Sequence, residues 1–156
     1  MEGVSFMASV FEVADWFLAN VNSVDNKKLQ KLCYYAYAWF IALNNDGNKI
    51  TERLYDARFE AWVHGAVEPN LYAKYKGFGA SIIPATADNS EVFSPAELDV
   101  LQQVNEVYGA FSGNQLESIC HQESPWQNAR GSLRANEPSH AVISDKDIFN
   151  CYTDRL

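Results

Sequence analysis

The chain has few of the groups that hold a metal, a nucleic acid or a membrane. Three histidines, His64, His121 and His140, occur in 156 residues, and there is no His-Glu-x-x-His run. The three cysteines, Cys33, Cys120 and Cys151, form no Cys-x-x-Cys pair. Zinc-ligand spacing is therefore missing, and no metal or cofactor is expected. An odd, widely spaced set of cysteines is also no disulfide framework. It reads as reduced thiols in a cytoplasmic protein, each a small buried hydrophobe. Basic residues are scarce, 12 Lys and Arg against 20 Asp and Glu, for a formal net charge of -8. A nucleic-acid binder neutralises phosphates with clustered Lys and Arg, so direct nucleic-acid contact is not expected. The densest basic group, Lys27-Lys28-x-x-Lys31, opens a helix and reads as a solvated face. No uninterrupted apolar stretch approaches the roughly 20 residues of a membrane span. Nor does a charged-then-apolar leader open the chain, so no membrane association is expected.

Catalytic signatures are equally thin. Gly77-Phe78-Gly79 lacks the third glycine and the preceding strand of a phosphate loop, and no Gly-x-Ser-x-Gly elbow occurs. Cys120 and His121 are adjacent on a helix, about 100° apart around its axis, and cannot face each other as nucleophile and base.

Aromatics and helical periodicity are abundant. Aromatic residues make up 13% of the chain, with 4 Trp, 8 Tyr and 9 Phe. Most must fill the core, and the surplus of Tyr and Trp also suits a protein interface. An acidic surface suits encounter with a basic partner. Residues 8–22 carry an amphipathic stripe of Val10, Val13, Ala14, Phe17, Leu18 and Val21. Asp25 or Asn26 caps a second helix, 26–44, which is apolar nearly all round and therefore central. One stripe runs Leu29, Leu32, Cys33, Ala36, Trp39, Phe40 and Leu43, and Tyr34, Tyr37, Ala38 and Ile41 fill the other side. Asn44-Asn45-Asp46-Gly47 stops it. Ser94, Ser112, Ser124 and Ser144 each read as helix caps, the first three with Glu or Gln three residues on. The stripes after Ser94 and Ser112 hold Leu98, Leu101, Val104, Tyr108 and Phe111, then Leu116, Ile119 and Cys120. The last helix buries Ile148, Phe149 and Tyr152. Residues 77–93 and 131–141 read as loops. The fold expected is mainly α, a single compact multi-helix domain with at most a small two-stranded β element. That element would pair Arg58–Trp62 with His140–Ile143.

The run Glu60 to Tyr72, EAWVHGAVEPNLY, stands out from this patterning. Trp62 and His64 alternate as on a short strand, Gly65 permits a positive φ, and Pro69 fits the first position of a new helix after Glu68. By itself it is a corner between elements. Three other segments agree with it: KLQKLCYYAYAWF (28–40), ICHQESPWQNAR (119–130) and VISDKDIFNCY (142–152). In this order and at these intervals, the four resemble the Panacea domain, the SocA-like or GepA-like family of bacteria and phages. The likeness runs over about residues 8–152, within one domain taken as 1–156. One departure is visible: where the family has Gly-Pro-Val, this chain has Gly65-Ala66-Val67, and a φ lock is lost.

The resemblance implies an antitoxin that binds a cognate protein toxin directly. One branch of the family implies an adaptor that delivers its toxin to an ATP-dependent protease. The partner-binding candidates are Trp62, His64, Gly65, Glu68, Pro69, Tyr72, His121, Glu123 and Trp126. His64 and His121 are expected to line one polar groove floored by Trp62 and Trp126. An enzyme using His121, Glu123 and His64 for general acid–base work remains the other class. The alternative to an interface is that these motifs are internal scaffold, with partner choice in the 78–93 and 131–141 loops.

Overall fold

Seven α-helices, two single-turn 3-10 helices and one β-hairpin make up the regular structure among the described residues, 7–47 and 49–156, of the computed structural model. The first helix, α1 (Val10–Asn20), begins at a capping box: the Ser9 side chain accepts from the Glu12 backbone N–H, and the Glu12 carboxylate accepts from that of Ser9. The second, α2 (Asn26–Asn44), is capped by Asp25, which accepts from the Lys28 N–H at 2.8 Å. It ends where the Asn45 side chain folds back on the Ile41 carbonyl and accepts from the Thr51 and Glu52 N–H groups.

The apolar girth of α2 has a simple cause. It packs against α1 and against five later elements: β2 (Gly65–Val67), α3 (Pro69–Tyr75), α4 (Pro95–Tyr108), α5 (Gly113–His121) and α7 (Asp145–Thr153). Tyr34, Tyr35 and Tyr37 are all buried in it. Tyr35 stacks on Tyr108 at 4.2 Å, and Tyr37 donates its hydroxyl to Asp145. Trp39 is only half-buried; its indole N–H donates to the Tyr108 hydroxyl. Leu43, placed on the same stripe, is 43% exposed. The expected solvated face of Lys28 and Lys31 does not exist: Lys28 is 6% and Lys31 1% exposed. Helices on several sides leave α2 no polar face, so its lysines thread between neighbours. Lys28 reaches the Gly109 carbonyl and Lys31 the Ala66 carbonyl.

The expected pairing of 58–62 with 140–143 is present only as an isolated bridge, and a hairpin not expected from the sequence makes the sheet. Strand β1 (Glu60–Trp62) pairs antiparallel with β2, Trp62 opposite Gly65 and Ala61 opposite Ala66. Gly65 closes the turn at φ +103, a conformation only glycine adopts freely. The 141–143 segment lies along the other edge of β1 as a single bridge, Glu60 to Val142, with the Ala61 N–H donating to the Ala141 carbonyl.

Smaller departures have local reasons. The residue before α6 (Ser124–Arg130) is Glu123, so Ser124 lies inside the helix and makes no cap. Pro125 then occupies the second helical position rather than the first. In α4 Val100 is buried while Leu98 is half-buried, and Phe111 lies exposed beyond its end. Phe149, Ile119 and Cys151 are half-buried.

Candidate functional site

Four carbonyls of the hairpin are each held by a side chain from a helix. Arg130 donates to the carbonyl of Ala61 at 3.0 Å, and the Trp126 indole N–H to that of Trp62 at 2.8 Å. His121 Nε2 lies 2.7 Å from the Val63 carbonyl, an acceptor, so this nitrogen carries the ring proton and donates. Lys31 donates to the carbonyl of Ala66 at 3.2 Å. The Trp126 ring lies between the two motifs: His121 stacks on one face at 4.3 Å, and the Arg130 guanidinium lies 4.9 Å from its centroid. Short strands cannot hold themselves, and these donors fix the hairpin to α2, α5 and α6.

This architecture divides the nine candidate residues into two groups. Gly65, Glu68, Glu123 and Trp126 are interior. Glu68 caps α3, accepting from the N–H groups of Leu71 and Asn70, and its own N–H donates to Gln30. Glu123 receives the Tyr35 and Tyr152 hydroxyls on one oxygen, at 2.8 Å each, and Arg155 on the other at 2.9 Å. A partner touches none of these without unfolding the site. Trp62, Pro69 and His121 are half-buried, and His64 and Tyr72 are exposed. The Trp62 ring meets Tyr72 edge-on at 5.0 Å and His140 at 5.8 Å. Its N–H donates to Glu60, which also bonds His140 Nδ1 at 3.0 Å.

The alternative acid–base trio of His121, Glu123 and His64 is not joined by hydrogen bonds among the described residues. His64 and His121 do approach a common carboxylate, but it belongs to Glu117, at 3.0 Å from His64 Nδ1 and 3.9 Å from His121 Nε2. Both oxygens of Glu123 are occupied elsewhere. Lys27 also bonds Glu117, at 2.6 Å. Burial raises the Glu117 carboxyl, but the hydrogen bonds from Lys27 and His64 outweigh it and hold the group below the usual range. Glu117 was detectable in the sequence: it stands four residues before His121 on the same helix face. Lys31 was concealed by its charge, which pointed outward on every simple reading.

Beside Trp62 the surface dips into a recess of about 400 Å³ between the start of α2, the hairpin and α3. Trp62, Tyr72, His64 and Lys31 are among the residues that line it. No group of three or more His, Cys, Asp or Glu suited to a metal occurs among the described residues. No helix among them is long and apolar enough to cross a membrane.

A family model described as Antitoxin SocA-like, Panacea domain, matches residues 29–127. That span holds most of α2, the hairpin, and α5 with the start of α6. No curated protein and no solved structure matches the chain.

Proposed function

The chain belongs to the SocA-like antitoxin family with its Panacea domain, and on that premise we propose that it is the antitoxin of a toxin–antitoxin system, neutralising a cognate protein toxin by direct binding. The family match carries this reading. The toxin docks on the face made by Trp62, His64 and Tyr72, with Pro69 and His121 at its edge. Aromatic side chains that present a large flat area at low entropic cost are the usual anchors of such contacts. The chain's net charge of -8 favours a basic toxin and speeds their encounter.

The test is co-expression. The small reading frame beside this gene is induced alone and together with the chain. Growth arrest by the first, relief by the second and co-purification of the two proteins are expected. Arrest that the chain does not relieve overturns the antitoxin reading. Relief that needs an intact ATP-dependent protease, with the toxin disappearing from the cell, identifies an adaptor instead.

A further inference from the structure

The recess beside Trp62 carries chemistry that the fold leaves unused. Its volume, about 400 Å³, lies in the range of small-ligand pockets. One wall is aromatic, made by Trp62 and Tyr72 in edge-to-face contact. Three lysines share the rest of the lining with neutral side chains, although the chain is strongly acidic: Lys27, Lys31 and Lys76, with His64 beside them. Asp25 is the only carboxylate in the lining, and it caps α2. Lys27 is neutralised by Glu117. Lys31 and Lys76 have no ion-pair partner among the described residues.

Lys31 is the distinctive member. It is 1% exposed, and among the described residues only the Ala66 carbonyl accepts from its ammonium, which has three protons to give. Gly65 makes room for its stem: a Cβ there would stand 2.7 Å from Lys31 Cε. Burial lowers the Lys31 pKa to about 8; Cys120, Glu117 and Asp25 draw it up, and Lys27 draws it down. A buried cation short of counter-charge is costly to keep, and a bound anion would supply the missing charge.

We propose that this recess is an anion-binding site for a carboxylate or phosphate group carried on a flat apolar body. The anion pairs with the exposed Lys76 and supplies counter-charge to Lys31 buried beneath it, and the flat body lies against Trp62 and Tyr72. A free small molecule and an acidic residue presented by a docked protein both have this chemistry. The site does not rest on the antitoxin reading, since a chain that failed to protect cells would still bind the probes.

The experiment is an NMR titration of the full chain with four probes: phenyl phosphate, N-acetylphenylalanine, N-acetylphenylalaninamide and inorganic phosphate. Phenyl phosphate is expected to saturate with a Kd of about 1 mM or below and to shift the Trp62 indole N–H. Lys76→Ala should weaken it by about tenfold, one ion contact at about 1.4 kcal/mol per decade, and Lys31→Met should weaken it by less, since that charge acts from beneath the recess. Lys76 is exposed, so its variant tests the site even if Lys31→Met folds poorly. Displacement of phenyl phosphate by N-acetylphenylalanine shows that a carboxylate borne by a protein is accepted; binding of phenyl phosphate alone assigns the site to a free phosphorylated ligand. The proposal is overturned if no anionic aromatic probe saturates, if the neutral amide binds as well as the acid, or if both lysine variants bind like the parent. Inorganic phosphate matching phenyl phosphate would refute the aromatic wall.

Discussion

Replacing Lys31 by Met should stabilise the protein near neutral pH and flatten its response to alkali. The Lys31 ammonium is buried beneath the hairpin, and burial brings its pKa from 10.5 to about 8. At about 1.4 kcal/mol per unit, that gap corresponds to about 3 kcal/mol. The sign follows from proton counting. Below pH 8 both folded and unfolded chains hold the proton, and the full desolvation cost is present. Between about 8 and 10.5 the unfolded chain holds a proton that the folded chain has released, so stability rises with pH. Roughly 1 kcal/mol of that rise falls between pH 7 and pH 9. Met keeps the length and removes the charge, but it leaves the Ala66 carbonyl without its donor, at a cost of about 1–3 kcal/mol. The variant should therefore equal the parent at pH 7 or exceed it by up to about 2 kcal/mol, and this margin should shrink by about 1 kcal/mol by pH 9. Cys120, pushed up to about 12 by burial, acts in the opposite direction: its folded form keeps a proton that the unfolded thiol loses, so it lowers stability above about pH 9. At pH 9 the unfolded thiol is already about half ionised, but parent and variant both carry Cys120, so the difference between them at pH 7, 8 and 9 reports Lys31. Urea unfolding of both proteins at these three values is the assay. Parallel pH curves, or a variant weaker by about 3 kcal/mol at pH 7, would show that the ammonium is already compensated and sink the reasoning.

Glu123→Ala should cost about 3–5 kcal/mol in urea unfolding, because it leaves two buried tyrosine hydroxyls and Arg155 without their acceptor; a loss under about 1 kcal/mol would mean that water replaces the carboxylate. Trp39→Ala should cost about 3 kcal/mol, the low end for a truncated aromatic, since the ring is half-buried but packs on Tyr152 and donates to Tyr108. Gly65→Ala should lower stability by more than about 1 kcal/mol, from its φ of +103 and the Lys31 stem against it; an unchanged melting temperature would refute that close approach. Tyr72→Ala should fold like the parent yet weaken toxin rescue by about 2 kcal/mol of binding, and full protection by this variant would shift the interface to the 78–93 and 131–141 loops.

Much of this fold was legible in the sequence because local signals and burial agreed. Helix α2 was readable to its ends, since Asp25 and Asn45 have side chains suited to stopping a helix and the stretch between them is apolar all round. Ser94, Ser112 and Ser144 cap as their spacing implied. Ser124 failed because Glu123 already takes the cap position, and its side chain is drawn inward to Tyr35 and Tyr152. The hairpin was hidden by its length: three residues per strand leave almost no alternation to read, and the registering partner is close in sequence rather than distant. At the site, residue type misled. Charge placed Lys31 outside and Glu123 at the surface, whereas tertiary partners hold both inside. Glu117, not Glu123, stands beside both His64 and His121, because helix geometry rather than motif membership brings it there.

The motif residues divide between support and display, and the division has an energetic consequence. Arg130, Trp126, His121 and Lys31 each clamp a carbonyl within residues 61–66, so the hairpin is held by groups from three helices. A three-residue strand pair alone would sample many shapes, and a partner would have to select one. Clamped at these carbonyls, it presents Trp62 and His64 in a fixed relation to Tyr72. Docking of the proposed toxin on this face would lose little further backbone entropy, and more of each aromatic contact would be realised as affinity. Ala66 fits the same logic. Where the family pattern carries Pro, this chain has Ala66, whose carbonyl receives Lys31, and that hydrogen bond restrains the strand without the φ lock of a proline ring. On the proposed docking face, the interior members of the motif would act on binding without touching the partner. Their replacement should lower stability and rescue together, whereas replacement of Tyr72 should lower rescue alone.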